Sequence, residues 1–214
     1  MSRCERIDLW CNMIEDTNAV SAEPRSSVGT TETQWSIVWL AFGAGVVAAM
    51  QIGKLPPSMS VIQTEFNAGF ITAGWIASMI STTGFVLGLV SGLIVDHIGQ
   101  RTVLIFGLCA LALGSFIGAL APSVEFMLLA RFVEGVGFAS TTVAGATMIA
   151  RESSDRDRKW ALGVWAIYMP VGFAGMMMIT ALLLDQIGWR TIWAANCAVA
   201  AVWALVVLCS TAET

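Results

Sequence analysis

Residues 92–101 read GLIVDHIGQR and residues 181–190 read ALLLDQIGWR. Within them DHIGQRT (96–102) and DQIGWRT (185–191) agree at five of seven positions, 89 residues apart. Each loop directly follows a long apolar run. Working outward, six stretches carry the roughly 20 apolar residues that a bilayer-spanning helix needs: 35–55, 70–95, 102–121, 124–149, 160–184 and 190–209. Lipid offers no partner to an open strand edge, so these stretches are expected to be helices. The expected fold class is an all-α membrane protein.

The 89-residue offset also separates stretches one to three (35–121) from stretches four to six (124–209). The repeated loop therefore marks a three-helix unit used twice. Three crossings are odd in number, so the two units are expected to lie inverted in the membrane. Inverted repeats are characteristic of secondary transporters, whose solute site lies near the midplane where the repeats meet. The competing reading is coincidence, since a short Asp–Gly–Arg loop arises easily at a helix end.

Composition agrees with burial in lipid. Of 214 residues, 57% are hydrophobic and 12% charged, against about 25% charged in soluble domains. Residues 1–34 differ: Arg3, Arg6 and Arg25 stand among Glu5, Asp8, Glu15, Asp16, Glu23 and Glu32, with no long apolar run. This is not a secretory signal. It reads as a mostly disordered tail, with a short docking helix around DLWCNMI (8–14) as the alternative. Cys109, Cys197 and Cys209 fall in apolar stretches and Cys4 and Cys11 in the tail, in no zinc-like spacing. With His97 the single histidine, neither metal nor cofactor is expected. Nothing suggests a phosphate-binding loop, a hydrolytic triad or a nucleic-acid partner, so an enzyme is not expected.

Basic residues assign the sides. Arg3, Arg6, Arg25, Arg101, Arg151, Arg156, Arg158 and Lys159 fall on one side, Lys54 and Arg190 on the other, and Arg131 inside a span. Lysine and arginine accumulate on the cytoplasmic side. The expectation is a multi-pass protein of the plasma or inner membrane with the N-terminus, RESSDRDRK (151–159) and the C-terminal residues 211–214 in the cytoplasm.

Three motifs carry a resemblance. GLIVDHIGQR resembles the loop between helices two and three of the major facilitator superfamily, with Gly92, Asp96, Gly99 and Arg101 matching and His97 and Gln100 departing from basic residues. RFVEGVG (131–137) resembles the family's helix-four motif, an arginine followed by a glycine pair, here Gly135 and Gly137. GWRTIW (188–193) resembles the entry to helix six. Together they cover about 35–210. The resemblance implies alternating-access transport of a small solute, with or without a coupling proton. The family has two six-helix halves, so this chain resembles an N-terminal half, and a second half or a second copy is expected as partner. A truncated, non-transporting membrane protein or assembly subunit is the alternative.

Candidate working residues follow. Gly84, Gly88 and Gly92 recur every four residues, a packing face for a neighbouring helix. Asp96 continues the stripe; alone it reads as a solvated helix-end acid, and the resemblance implies a cytoplasmic latch. Arg131 lies inside the fourth stretch, where an isolated charge costs about 2.5–3.5 kcal/mol, with Glu134 one turn on. The functional reading is anion binding or proton coupling. The competing one is a structural Arg–Glu pair near the interface, in which losing the arginine strands a buried carboxylate. Tyr168 shares a side with Trp165, Met169 and Gly172, either as solute contacts or as aromatic packing. Pro170 should loosen the helix. MPVGFAG (169–175) matches the glycine-proline motif of the family's drug antiporters in part, with Met169 where a glycine would stand. Gln51 and Asn196 are further polar groups at membrane depth. Arg131 inclines the solute towards a small anion of the cyanate or nitrate type. A proton-coupled drug antiporter is the second alternative.

Overall fold

The computed structural model describes residues 32–210, leaving the side chains of residues 89–94 and 96 outside the description. Residues 1–31 of the tail, with its alternative docking helix, Cys4 and Cys11, and residues 211–214 lie outside the described residues. The elements are α1 (Trp35–Gly53), α2 (Leu55–Glu65), α3 (Phe70–Ile98), α4 (Gln100–Ala119), α5 (Val124–Glu152), α6 (Arg158–Ala166) and α7 (Tyr168–Cys209). Among the described residues all regular structure is helical.

Five continuous stretches are long and apolar enough to cross a membrane: Trp35–Glu65, Phe70–Gly88, Gln100–Ala119, Val124–Glu152 and Arg158–Cys209. The last has 52 residues, about 78 Å as a straight helix, far more than a hydrocarbon core of about 30 Å. It is not straight. Gly188 has φ 75 and ψ 158, and Asn196 Nδ2 lies 3.7 Å from Met176 Sδ. Twenty residues of straight helix would hold these side chains about 30 Å apart. The chain therefore doubles back at Gly188, close to the boundary between the expected fifth and sixth stretches.

Prolines account for the other interruptions. Pro56 and Pro57 offer no N–H to the carbonyls of Ile52 and Gly53, so α1 stops and α2 begins at Leu55, with Lys54 at the joint. The first span consequently runs to Glu65, ten residues past its expected end at 55. Pro170 likewise withdraws a donor from Ala166, where α6 ends.

The repeated heptapeptide is one backbone device used twice. Gly99 (φ 94) and Gly188 (φ 75) are the glycines with positive φ among the described residues. Left-handed backbone costs a side chain roughly 1–2 kcal/mol, which glycine avoids.

Close helix packing is seen at the glycine pair of α5. A Cβ on Gly137 would stand 2.7 Å from the Gly107 carbonyl oxygen, and one on Gly135 would stand 2.6 Å from Thr83 Cβ. Gly84 and Gly88 make no such approach within this bundle. A Cβ on Gly84 would meet Phe138 at an ordinary 3.6 Å, and one on Gly88 would meet nothing within 4 Å. The surroundings of Gly92 and the Asp96 side chain, hence the latch, lie outside the described residues.

Two apolar clusters fill the bundle. One includes Ala48, Leu111 and Ala144; the other includes Leu55, Ala119 and Met127. Along α1–α2, α4 and α5 alike, the chain passes from one cluster to the other through a polar stretch: Gln51–Lys54, Ser115 and Arg131–Glu134. At one end Gln34 N–H donates to the Glu152 carbonyl at 3.2 Å. At the other, Arg190 reaches Glu65 and Ala121.

Candidate functional site

Glu134 lies on α5 between the two apolar clusters and is fully buried. Its Oε1 accepts from Lys54 Nζ at 2.7 Å and from the Ser115 hydroxyl at 2.9 Å. Its Oε2 lies 3.0 Å from Arg131 Nη1. One carboxylate thus serves two cations, all with side-chain exposure 0%. The formal charge of the three is +1, from two positive groups and one negative. Lys54 Nζ also donates to Gln51 Oε1 at 2.6 Å and to Ser115 Oγ at 2.8 Å. Arg131 Nη1 donates to the Gln51 carbonyl at 3.1 Å.

Trp193 closes the cluster. Its ring centroid is 4.7 Å from Lys54 Nζ and 5.1 Å from Arg131 Cζ. The negative ring face attracts both cations, worth about 2 kcal/mol or more where water is absent. Among the described residues, Arg131 Nε and Nη2, Gln51 Nε2 and Trp193 Nε1 are buried donors with no hydrogen-bond partner. A net positive, donor-rich cluster has the chemistry to hold an anion or to change its charge state when a proton arrives.

Of the residues expected to work together, Gln51, Arg131 and Glu134 meet here. Tyr168 does not: its ring lies 4.4 Å from Trp165, beside Gly45. Nor does Asn196, whose Nδ2 donates to the Ile192 carbonyl at 3.0 Å. Ser115 and Trp193 were missed by sequence reasoning. Lys54 was assigned to the outer surface, and the structure corrects this: α2 continues the span for eleven residues beyond it, so the lysine lies at depth. The signal available was the low charge of LPPSMSVIQTE after it. One expectation about Arg131 changes as well. It is wholly buried within the bundle, and its loss would not strand Glu134, because Lys54 remains.

Two concavities adjoin the bundle. An apolar groove of about 610 Å³ is lined by Pro56, Pro57, Phe173, Met177 and Met178. A cleft of about 330 Å³ at the Gln34 end is walled by Arg101, Gln100, Glu152 and Ser210. Among the described residues no group of histidine, cysteine and carboxylate side chains is placed to hold a metal ion.

Comparisons with known proteins bear on this arrangement. Residues 41–213 match the family model of the Major Facilitator Superfamily. The Multidrug resistance protein Stp of Mycobacterium tuberculosis (strain CDC 1551 / Oshkosh) is 27% identical over 153 residues, 71% of this chain and 28% of that protein. An uncharacterized transporter of Rickettsia bellii is 31% identical over 141 residues, 64% of this chain and 33% of its own length. The Methylenomycin A resistance protein of Streptomyces coelicolor is 24% identical over 158 residues, 73% of this chain and 33% of its length. The chain spans about a third or less of these relatives. Among solved structures, the proton:xylose symporter XylE bound to 6-bromo-6-deoxy-D-glucose superposes with a TM-score of 0.68 at 15% identity, over 81% of this chain and 44% of that one. At that identity the match speaks for the fold alone.

Proposed function

The chain belongs to the Major Facilitator Superfamily, and from that premise we propose that it is the N-terminal half of a secondary transporter moving a small solute by alternating access. The carrying observation is the buried Lys54–Glu134–Arg131 cluster. Charges at membrane depth are costly and tend to mark solute or proton pathways. In this reading Arg131 and Glu134, with Lys54 and Gln51, respond to the solute or to a coupling proton. The formal +1 charge and unpaired donors support an anionic solute. A second six-helix half or a second copy completes the solute path. The positive φ shared by the matching glycines, Gly99 and Gly188, supports the inverted-repeat relation between residues 35–121 and 124–209. The cytoplasmic side is assigned by the basic residues of the N-terminal tail and of the 96–101 and 151–159 loops, and an even number of crossings puts the C-terminal end on that side too; with Lys54 buried, Arg190 is left as the cation assigned to the opposite face.

A second reading, proton-coupled drug antiport, is favoured by the groove at Pro56, Phe173, Met177 and Met178. Methionine-rich apolar surfaces adapt to varied ligands, and two relatives carry resistance names. Tyr168 and Asn196 then serve packing rather than solute contact.

The test uses cells expressing the longest open reading frame that contains this chain. Labelled nitrate and cyanate uptake and hydrophobic-dye efflux are measured per unit of membrane-resident protein. Arg131→Ala is expected to abolish transport while protein remains in the membrane, because Lys54 still pairs with Glu134. Arg131→Lys is expected to restore part, since lysine keeps the charge but not the planar fork. Full activity of Arg131→Ala would end the reading; dye efflux without anion uptake would select the second one. For sidedness, single cysteines at Asp155, an exposed position of the 151–159 loop, and at Gln186 should label from opposite sides of the membrane.

A further inference from the structure

We infer that Trp193 is a positioning residue for the buried charges, its ring face setting where Lys54 and Arg131 stand relative to the carboxylate they share. The role it would serve rests on the transport reading above. Lys54 and Arg131 repel one another and divide one carboxylate, in a region closed to solvent. The ring gives each a second electrostatic partner, 4.7 and 5.1 Å from its centroid. The ring itself is held at its edge. A Cβ on Gly118 would stand 2.5 Å from Trp193 Cδ1, so α4 meets the indole with no side chain between. Trp189 packs edge-on at 5.5 Å and 87°, and its Nε1 donates to Glu65 Oε2 at 2.6 Å.

The two tryptophans are four residues apart on the segment that restarts after Gly188, so they share one helical face. Glu65 and Lys54 bracket α2. The paired indoles therefore hold α2 at both ends: at its far end through Glu65 and at its proline joint through Lys54. Trp193 thereby links the geometry at the bundle's end to the charges in its middle.

The experiment is a double-mutant cycle on the purified chain, read by thermal unfolding, with Lys54→Met, Trp193→Leu and the two combined. The expected result is non-additivity equivalent to about fivefold in the unfolding equilibrium. Trp193→Phe, which keeps an aromatic face, should retain most of the coupling. Uptake supplies the second readout. Trp193→Leu should lower kcat/KM by about tenfold per membrane-resident protein, and Trp193→Phe should recover most of it. Should Trp193→Leu fail to reach the membrane, Gly118→Ala, which displaces the ring from its edge, takes its place. An additive cycle, or equal losses for Phe and Leu, overturns the inference. A coupled cycle in a parent protein that moves no solute upholds the positioning role and refutes transport instead.

Discussion

Glu134 and Glu65 make the same kind of contact in different surroundings. Each carboxylate meets a cation and lies near a tryptophan: Glu134 with Lys54, Arg131 and Trp193, Glu65 with Arg190 and Trp189. The Glu65–Arg190 contact is the shorter of the ion pairs, at 2.6 Å against 2.7 and 3.0 Å. Yet its partners are 39% and 40% exposed, while the Glu134 group is sealed. Distance does not rank these interactions; desolvation does. An exposed pair exchanges one hydrated state for another and contributes about 0–1 kcal/mol. A buried charge stripped of its partner keeps its full desolvation cost.

The sharpest way to break this comparison is Glu134→Gln. It strands two cations where water does not reach and should cost about 3–5 kcal/mol, read as lost membrane yield and a lowered unfolding temperature. Adding Lys54→Met, which leaves Arg131 bonded to the Gln51 carbonyl, should recover part of that loss. A Glu134→Gln protein as stable as its parent would mean the cluster is not closed to water.

A smaller effect separates charge from backbone. Gly188→Ala forces a left-handed φ on a residue with a Cβ, for about 1–2 kcal/mol, although open space surrounds that site. Gly99→Ala should cost a similar amount by the same thermal measurement. Unequal costs would show that the two copies of the loop bear different loads.

The smallest effect belongs to Glu65→Gln, expected at about 0–1 kcal/mol and shrinking as salt rises. A cost equal to that of Glu134→Gln would overturn the ranking by burial.

The repeated Asp-x-Ile-Gly-x-Arg-Thr loop shows how far local reading extends. It located two reversals 89 residues apart, and both prove to be left-handed glycines. Local chemistry suffices there, because both reversals set a residue at positive φ, where a Cβ would be strained and glycine is not. On α3 that reading extends less far. Gly84 and Gly88 recur with packing periodicity, but periodicity cannot say which neighbour a face meets. Within this bundle the tight approaches include the glycine pair Gly135 and Gly137, and Gly107 opposite it.

Apolar run length by itself determined that this protein is a helical membrane protein, since lipid admits few other ways to satisfy the backbone. Family motifs and the placement of Arg131, Glu134 and Gln51 at depth were also readable one residue at a time. Only tertiary structure decided that Lys54 belongs with them. A lysine before two prolines reads as the end of a span, and its partners lie 61 and 80 residues further along the chain. Whether such a charge is solvated or buried depends on what packs against it. That is set when α4, α5 and the segment carrying Trp193 close around the proline joint.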